Sequence, residues 1–224
     1  MRRMPSTPYL PPADCGLDIL HLSAQLIVVN KPSGLLCVPG RGAGKEDCLS
    51  RRVQAEYADA LIVHRLDMGT SGIVVMGRGA DAQRALSVLF QEREVRKRYQ
   101  AVVDGCWTAT ATGEIDLPIS GDWPNRPKKM VDHVMGRPSL TRYRVIDIDT
   151  ARAVSRIELD PLTGRSHQLR VHMEAMGYPI IGDDFYGTPE SCAKAERLML
   201  HACEIEFSDP ATGVPLRVDC PAPF

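Results

Sequence analysis

The sequence predicts an α+β fold on a largely antiparallel sheet. Strand-like runs outnumber helical ones, they lack the regular alternation with helices of βαβ units, and turn-forming stretches such as Asn30-Lys31-Pro32-Ser33-Gly34 separate neighbouring runs. At 224 residues the chain is long enough for one large domain or two small lobes around a cleft. A hydrophobic content of 44% with 25% charged residues excludes global disorder. With no internal repeat or linker, residues 20–224 read as one domain behind a flexible, Pro-rich tail over residues 1–19.

The elements follow in order. Pro5, Pro8, Pro11 and Pro12 keep the tail extended, and Met1-Arg2-Arg3-Met4 carries charge without the apolar run of a leader. AQLIVVNKPSGLLCVPG (24–40) reads as two β-rich runs on either side of a turn. DCLSRRVQAEY (47–57) reads as a short helix capped by Asp47. LIVHRLD is a strand entering the Gly69–Gly72 turn, and GIVVMGR (72–78) is the strand that leaves it. Asp81 caps a helix in which Ala82, Ala85, Leu86, Leu89 and Phe90 recur at helical spacing.

RKRYQAVVDG (96–105) returns as a strand. Residues 119–138, rich in Pro, Gly and charge, are too long for a plain hairpin turn and read as a functional loop. LTRYRVIDID (140–149) and AVSRIELDPL (153–162) are strands. TGRSHQLRVHMEAMG (163–177) is a loop running into a helix with Leu169, Met173 and Met176 on one side. RLMLHACEIEF (197–207) and PLRVDCPA (215–222) close the chain as strands.

The net charge of −1 hides an uneven distribution. Six Lys/Arg face one Asp between Arg126 and Arg144, whereas eight acids outnumber three bases from Asp183 onward. A basic middle of this kind suits a polyanion. The seven cysteines include no CxxC pair and read as reduced thiols of a cytoplasmic protein, not a disulfide framework. No run approaches the roughly 20 apolar residues of a membrane span.

Several motifs fail on spacing. GRGAGKED (40–47) has three residues, not four, between Gly40 and Gly44-Lys45, and Glu46 stands where a P-loop needs a hydroxyl. His167 and His172 are five apart, off a common helix face, which argues against zinc. There is no Gly-x-Ser-x-Gly elbow. HRLDMGTSG (64–72) is different, because it sets one carboxylate, Asp67, at a strand end beside a Gly-rich turn, where backbone can approach a ligand closely. Ionised, Asp67 can attack an electrophilic carbon or remove a proton. The same residue can instead cap its own turn, and spacing alone favours that reading. Arg165, ahead of a helix N-terminus, can pair with Asp67 or form a structural salt bridge elsewhere. Tyr99, in the basic run Arg96-Lys97-Arg98-Tyr99, can stack on a base or be an ordinary strand aromatic.

Taken together, NKPSGL (30–35), HRLDMGTSG (64–72), KRYQAVVDG (97–105), GRSHQLRVH (164–172) and LMLHA (198–202) closely resemble, in that order, the pseudouridine synthases of the RluA family. The likeness covers roughly residues 20–224. DWPNRPKK (122–129) and the short stretch ahead of the motifs, too short for an S4-like domain, resemble the RluA branch of that family. The resemblance implies the pseudouridine synthase catalytic fold, with a bent mixed sheet flanked by helices and loops and a central RNA-binding cleft. It implies isomerisation of uridine to pseudouridine in stem-loops of 23S rRNA and of the tRNA anticodon arm, with no metal, organic cofactor or obligate protein partner. By the same resemblance Asp67 is the essential aspartate, Tyr99 sits against the base, and Arg165 pairs with the carboxylate. Arg65 fills the stack vacated by a flipped nucleotide, and Leu200 lines the uracil pocket. Arg126, Lys128 and Lys129 are expected on phosphates. A catalytically silent RNA-binding module and an RNA N-glycosylase are the alternatives. The latter usually needs a second carboxylate, and none stands near Asp67 in sequence.

Overall fold

The computed structural model describes residues 9–108 and 111–224. In chain order its elements begin with strands β1 (Ile19–Leu22) and β2 (Leu26–Lys31), helix α1 (Leu49–Glu56), strands β3 (Ala60–Ile62) and β4 (Ser71–Arg78), and helix α2 (Ala80–Gln91). Strands β5 (Arg96–Asp104), β6 (Thr112–Asp116), β7 (Ile119–Gly121), β8 (Lys129–Val131), β9 (Leu140–Asp149) and β10 (Val154–Pro161) follow. Helices α3 (Gln168–Ala175) and α4 (Pro189–Ala193) and strands β11 (Leu200–Ser208) and β12 (Pro215–Asp219) complete the set.

Ten strands form one mixed sheet in the order β1-β2-β4-β11-β5-β10-β9-β6, with β3 added to β4 and β12 to β11. Every pairing in it is antiparallel except β4 with β11, where His201 lies opposite Ser71 and Ala202 opposite Gly72. Burial explains the strand sequences. In β4, SGIVVMG is buried at every position, as expected of a central strand, and α2 packs against it. In β9, buried Thr141 and Tyr143 alternate with exposed Arg142 and Arg144, the period of a sheet with one open face. Gly72 sits where the two halves of the sheet meet. Its φ is +107°, and a Cβ there would lie 2.3 Å from the Ala202 carbonyl oxygen, so only glycine fits.

The core has a large cluster under β2, β4, α1 and α2, a second under β5, β10 and α3, and a small third of Val102, Val154 and Ile181; Tyr99 packs against the first two. The site described below lies on that seam.

Several local expectations change. Leu35 and Cys37 are buried, but residues 32–48 form no strand, so that apolar run is a core-facing loop. The strand expected over LIVHRLD ends at Ile62; beyond it Leu66 N–H donates to Cys37 Sγ and the Asp67 carbonyl accepts Thr70 N–H in a turn, not in a strand pairing. Helix α1 has Cys48 at its N-cap, and Asp47 pairs with Arg52. Gly79, not Asp81, precedes α2, with Asp81 in its first turn. Residues 119–138 are not wholly loop, since β7 and β8 pair as a separate two-stranded sheet. The described part of the expected flexible tail is tied down. The Tyr9 hydroxyl donates to the Asp47 carbonyl and accepts from Leu36 N–H, while Arg52 donates to the Pro12 carbonyl. Residues 1–8 of that tail lie outside the described residues.

Candidate active site

A cleft of about 1710 Å³ opens along the seam, lined by Asp67, Tyr99, Leu200, Arg65, Arg165 and Arg170 among others. Eight Lys/Arg line it against four carboxylates, so the cleft is basic although the chain is not.

The loop that carries Asp67 is held from below. Lys31, with no exposed surface, donates all three ammonium hydrogens to carbonyls, to Pro32 at 2.8 Å, Leu35 at 2.7 Å and Met68 at 3.0 Å. Gly34 N–H donates to the same Met68 carbonyl, and Ser33 Oγ donates to the Gly69 carbonyl at 2.6 Å. Burial pushes the Lys31 ammonium down to about 8, opposed in part by the charge of Asp67. Upstream, the bare Nε2 of His64 accepts Val75 N–H at 3.0 Å, and its ring stacks on Phe90. Both ends of the segment are therefore pinned. Asp67 remains 26% exposed at the cleft floor.

The arginine brought to Asp67 is Arg170, not Arg165. Arg170 Nη1 lies 3.6 Å from Asp67 Oδ2. Arg165 lies in the turn before α3, where its Nε donates to the Pro138 carbonyl at 3.4 Å, while Arg170 sits on α3 itself and projects into the seam. The two arginines of GRSHQLRVH are indistinguishable by spacing, which explains the exchange. Arg170 is almost fully buried and is neutralised by an equally buried Asp183. Its Nε donates to Asp183 Oδ2 at 2.7 Å and its Nη2 to Oδ1 at 2.6 Å. Asp183 Oδ1 also accepts the Phe185 and Tyr186 amides. Burial alone would lower the Arg170 guanidinium, but Asp183, then Asp67 and Asp184, raise it above its ordinary value. One guanidinium thus spans a structural carboxylate and a solvent-facing one.

His167 stands on the other side of Asp67, with Nε2 3.9 Å from Oδ1. Tyr99, on β5, is half-buried, and burial followed by the Asp67 charge raises its phenol, so it stays neutral. Leu200 begins β11 and is buried against the cleft. Arg65 is exposed there and forms no hydrogen bond or ion pair with another described residue. Arg126 lies outside the cleft wall, with its guanidinium 4.6 Å from the centre of the exposed Trp123 ring. Lys128 and Lys129 are half-exposed beside it. His172, the other histidine on α3, turns away to Thr141 Oγ1 and the Leu117 carbonyl. Among the described residues no three His, Cys, Asp or Glu side chains are grouped to hold a metal ion.

Sequence reasoning does not identify Lys31, Arg170, Asp183, His167 or Tyr186 as site residues. The one legible signal was the acid pair in IIGDDFYG, since a carboxylate directly after an apolar run marks a buried charge that needs a cation.

The geometry has close counterparts. A family model described as RNA pseudouridylate synthase matches residues 25–175. The dual-specificity RNA pseudouridine synthase RluA of Escherichia coli K12 is 47% identical over 216 residues, 96% of this chain and 98% of that protein. The protein of the same name from Yersinia pestis is 48% identical over 206 residues, 92% of this chain and 99% of its own. Among solved structures, human RNA pseudouridylate synthase domain containing 1 superposes with a TM-score of 0.79 at 28% identity, covering 96% of this chain and 87% of that one.

Proposed function

Since the chain belongs to the RNA pseudouridylate synthase family, and is an isomerase that converts uridine in RNA to pseudouridine, we propose that Asp67 initiates the reaction on stem-loops of both large-subunit ribosomal RNA and the tRNA anticodon arm. The observation that carries this reading is the Asp67 carboxylate, open to a basic cleft while its loop is fixed by Lys31 and its charge is faced by Arg170. The dual-specificity name of the bacterial relatives and the resemblance of the motifs support the two substrates.

The reaction breaks the bond from N1 to the ribose, turns the detached uracil, and rejoins it through C5, from which a proton must leave. Asp67 begins this by attack on the sugar or by removal of a ribose proton. Arg170 sets a positive charge 3.6 Å from Asp67 Oδ2. Tyr99, a neutral phenol, forms with Leu200 the wall against which the uracil turns, and it passes on a proton only by exchanging its own. A stacked uridine must first leave its helix, at a cost of a few kcal/mol. The exposed Arg65 guanidinium lowers that cost by filling the gap. Arg126, Lys128 and Lys129 supply phosphate contacts independent of sequence, and the fold of the loop supplies choice. We also assign residues 20–224 to one catalytic unit, working in the cytoplasm without metal or organic cofactor; seven unpaired cysteines accord with that compartment. Among the described residues no helix is long and apolar enough to cross a membrane.

The test uses rRNA and tRNA hairpins labelled with tritium at uracil C5. Release by the wild type but not by Asp67→Asn, with RNA mass unchanged, is the expected result. Release of free uracil, or equal release by Asp67→Asn, overturns the reading.

A further inference from the structure

The two oxygens of Asp67 face different partners. Oδ2 faces Arg170, whose charge Asp183 already shares, and Oδ1 faces the imidazole of His167. Nothing in the chemistry above uses His167, yet its surroundings are more closely specified than packing requires. Its side chain is 10% exposed. Its backbone lies in the left-handed region, φ +59°, ψ +14°, at the N-cap of α3, a conformation that a non-glycine residue holds only when neighbours dictate it. Its Nδ1 lies 2.7 Å from the Tyr186 hydroxyl. That hydroxyl in turn accepts Lys129 N–H, 2.8 Å away on β8.

These bonds fix the imidazole tautomer. Burial pushes the Tyr186 phenol up to about 12, so it keeps its proton. With one lone pair taken by Lys129 N–H, the phenol donates that proton to the acceptor at hand, His167 Nδ1. Burial also holds the imidazole below its ordinary value, outweighing the charge of Asp67, so the ring is neutral. A neutral ring that accepts at Nδ1 carries its hydrogen on Nε2, the nitrogen facing Asp67.

We propose that His167 is a positioning residue for the isomerisation, held by Tyr186 so that its Nε2–H faces Asp67 Oδ1 and sets which carboxylate oxygen is presented to the ribose. The present separation of 3.9 Å closes to a hydrogen bond when substrate enters, as catalytic contacts commonly tighten on binding. Because the third member of the chain is a backbone N–H of β8, the relay also ties the β7–β8 sheet, beside Arg126 and Lys128, to the carboxylate. No proton is transferred along it. Its work is orientation, and it rests on the reading of Asp67 as the acting carboxylate.

Two replacements of His167 separate this role from packing. Glutamine carries an amide N–H near the position of Nε2, whereas asparagine reaches only that of Nδ1 but tolerates the left-handed backbone better. Single-turnover rates at saturating enzyme are measured on the tritiated hairpin, with RNA affinity measured separately. His167→Asn is expected to lose about tenfold or more in rate with affinity nearly unchanged, while His167→Gln stays within about threefold of wild type. Nitrogen-15 spectra are expected to give an Nε2-protonated His167 in the wild type and a mixture of tautomers in Tyr186→Phe. A wild-type rate in His167→Asn, an equal loss in both His167 variants, or an Nδ1-protonated ring in the wild type overturns the assignment. Asp67→Asn runs alongside. If it is inactive while His167→Asn is not, the relay fails alone, whereas activity in Asp67→Asn removes the carboxylate reading beneath it.

Discussion

Replacing Asp183 by asparagine keeps shape and removes one charge from beneath the site. In the native protein Arg170 and Asp183 are both buried, with side chains 5% and 0% exposed, and Asp183 accepts two guanidinium bonds and two backbone amides. Asparagine can keep one carbonyl oxygen toward the amides and Nη2, but its NH2 then meets Nε, donor against donor. Breaking a buried pair costs about 3–5 kcal/mol because an uncompensated charge is left behind. Asp67 at 3.6 Å and the exposed Asp184 at 3.4 Å still compensate in part, so the lower end applies, about 3 kcal/mol. For a chain of this size that lowers the melting temperature by about 6–12 °C. Urea unfolding followed by far-ultraviolet circular dichroism reads it directly, with an unchanged m value marking a pure stability effect. Asp184→Asn, at a 69% exposed carboxylate, serves as control and is expected to lose under about 0.5 kcal/mol. A loss below about 1 kcal/mol in Asp183→Asn refutes the view that Asp183 is what makes a buried Arg170 tolerable. The same variant is expected to slow isomerisation, since Arg170 would then draw closer to Asp67.

Other outcomes follow from the same contacts. Burial holds His64 at about 3 against 6.5 in the unfolded chain, so between those values the unfolded state binds more protons and stability falls as pH drops. Relative to His64→Gln, wild type is expected to lose up to about 4–5 kcal/mol between pH 6.5 and pH 3 in urea titrations. A difference independent of pH would refute the neutral His64 acceptor. Gly72→Ala, which drives a Cβ against the Ala202 carbonyl at positive φ, is expected to cost several kcal/mol or prevent folding, read as loss of cooperative melting. Arg126→Ala is expected to leave melting unchanged and to weaken hairpin binding, with the slope of log affinity against log salt reduced by about one; an unchanged slope removes Arg126 from the phosphate contacts.

Strands were legible where hydrophobic pattern and pairing agree. LTRYRVIDID matches the bounds of β9 because its alternation is imposed by one buried face. The apolar runs around residues 35–38 and 63–66 misled for the opposite reason. Leu35, Cys37 and Leu66 are buried from loops, so their hydrophobicity records depth without sheet pairing. Asp67, Tyr99, Arg65 and Leu200 all reach the cleft, since each belongs to a short motif whose residue types carry their chemistry. What stayed hidden was the support. In the sequence Lys31 is only part of a turn, and Arg170 and Asp183 are 13 residues apart in different elements, so the pair exists only once the chain has folded.

The parallel union of β4 with β11 also bears on when the protein becomes active during its synthesis. Asp67 emerges from the ribosome early, but Leu200 and the strand that locks Gly72 opposite Ala202 emerge more than 130 residues later. A nascent chain stopped before β11 contains Asp67 and Lys31 but not the strand that joins the two larger core clusters. Closing such a distant pairing is slow, because the entropy of the long intervening chain must be overcome first. Asp67 therefore stands without its assembled cleft for most of translation, and gains it only with the strand that joins the halves of the sheet.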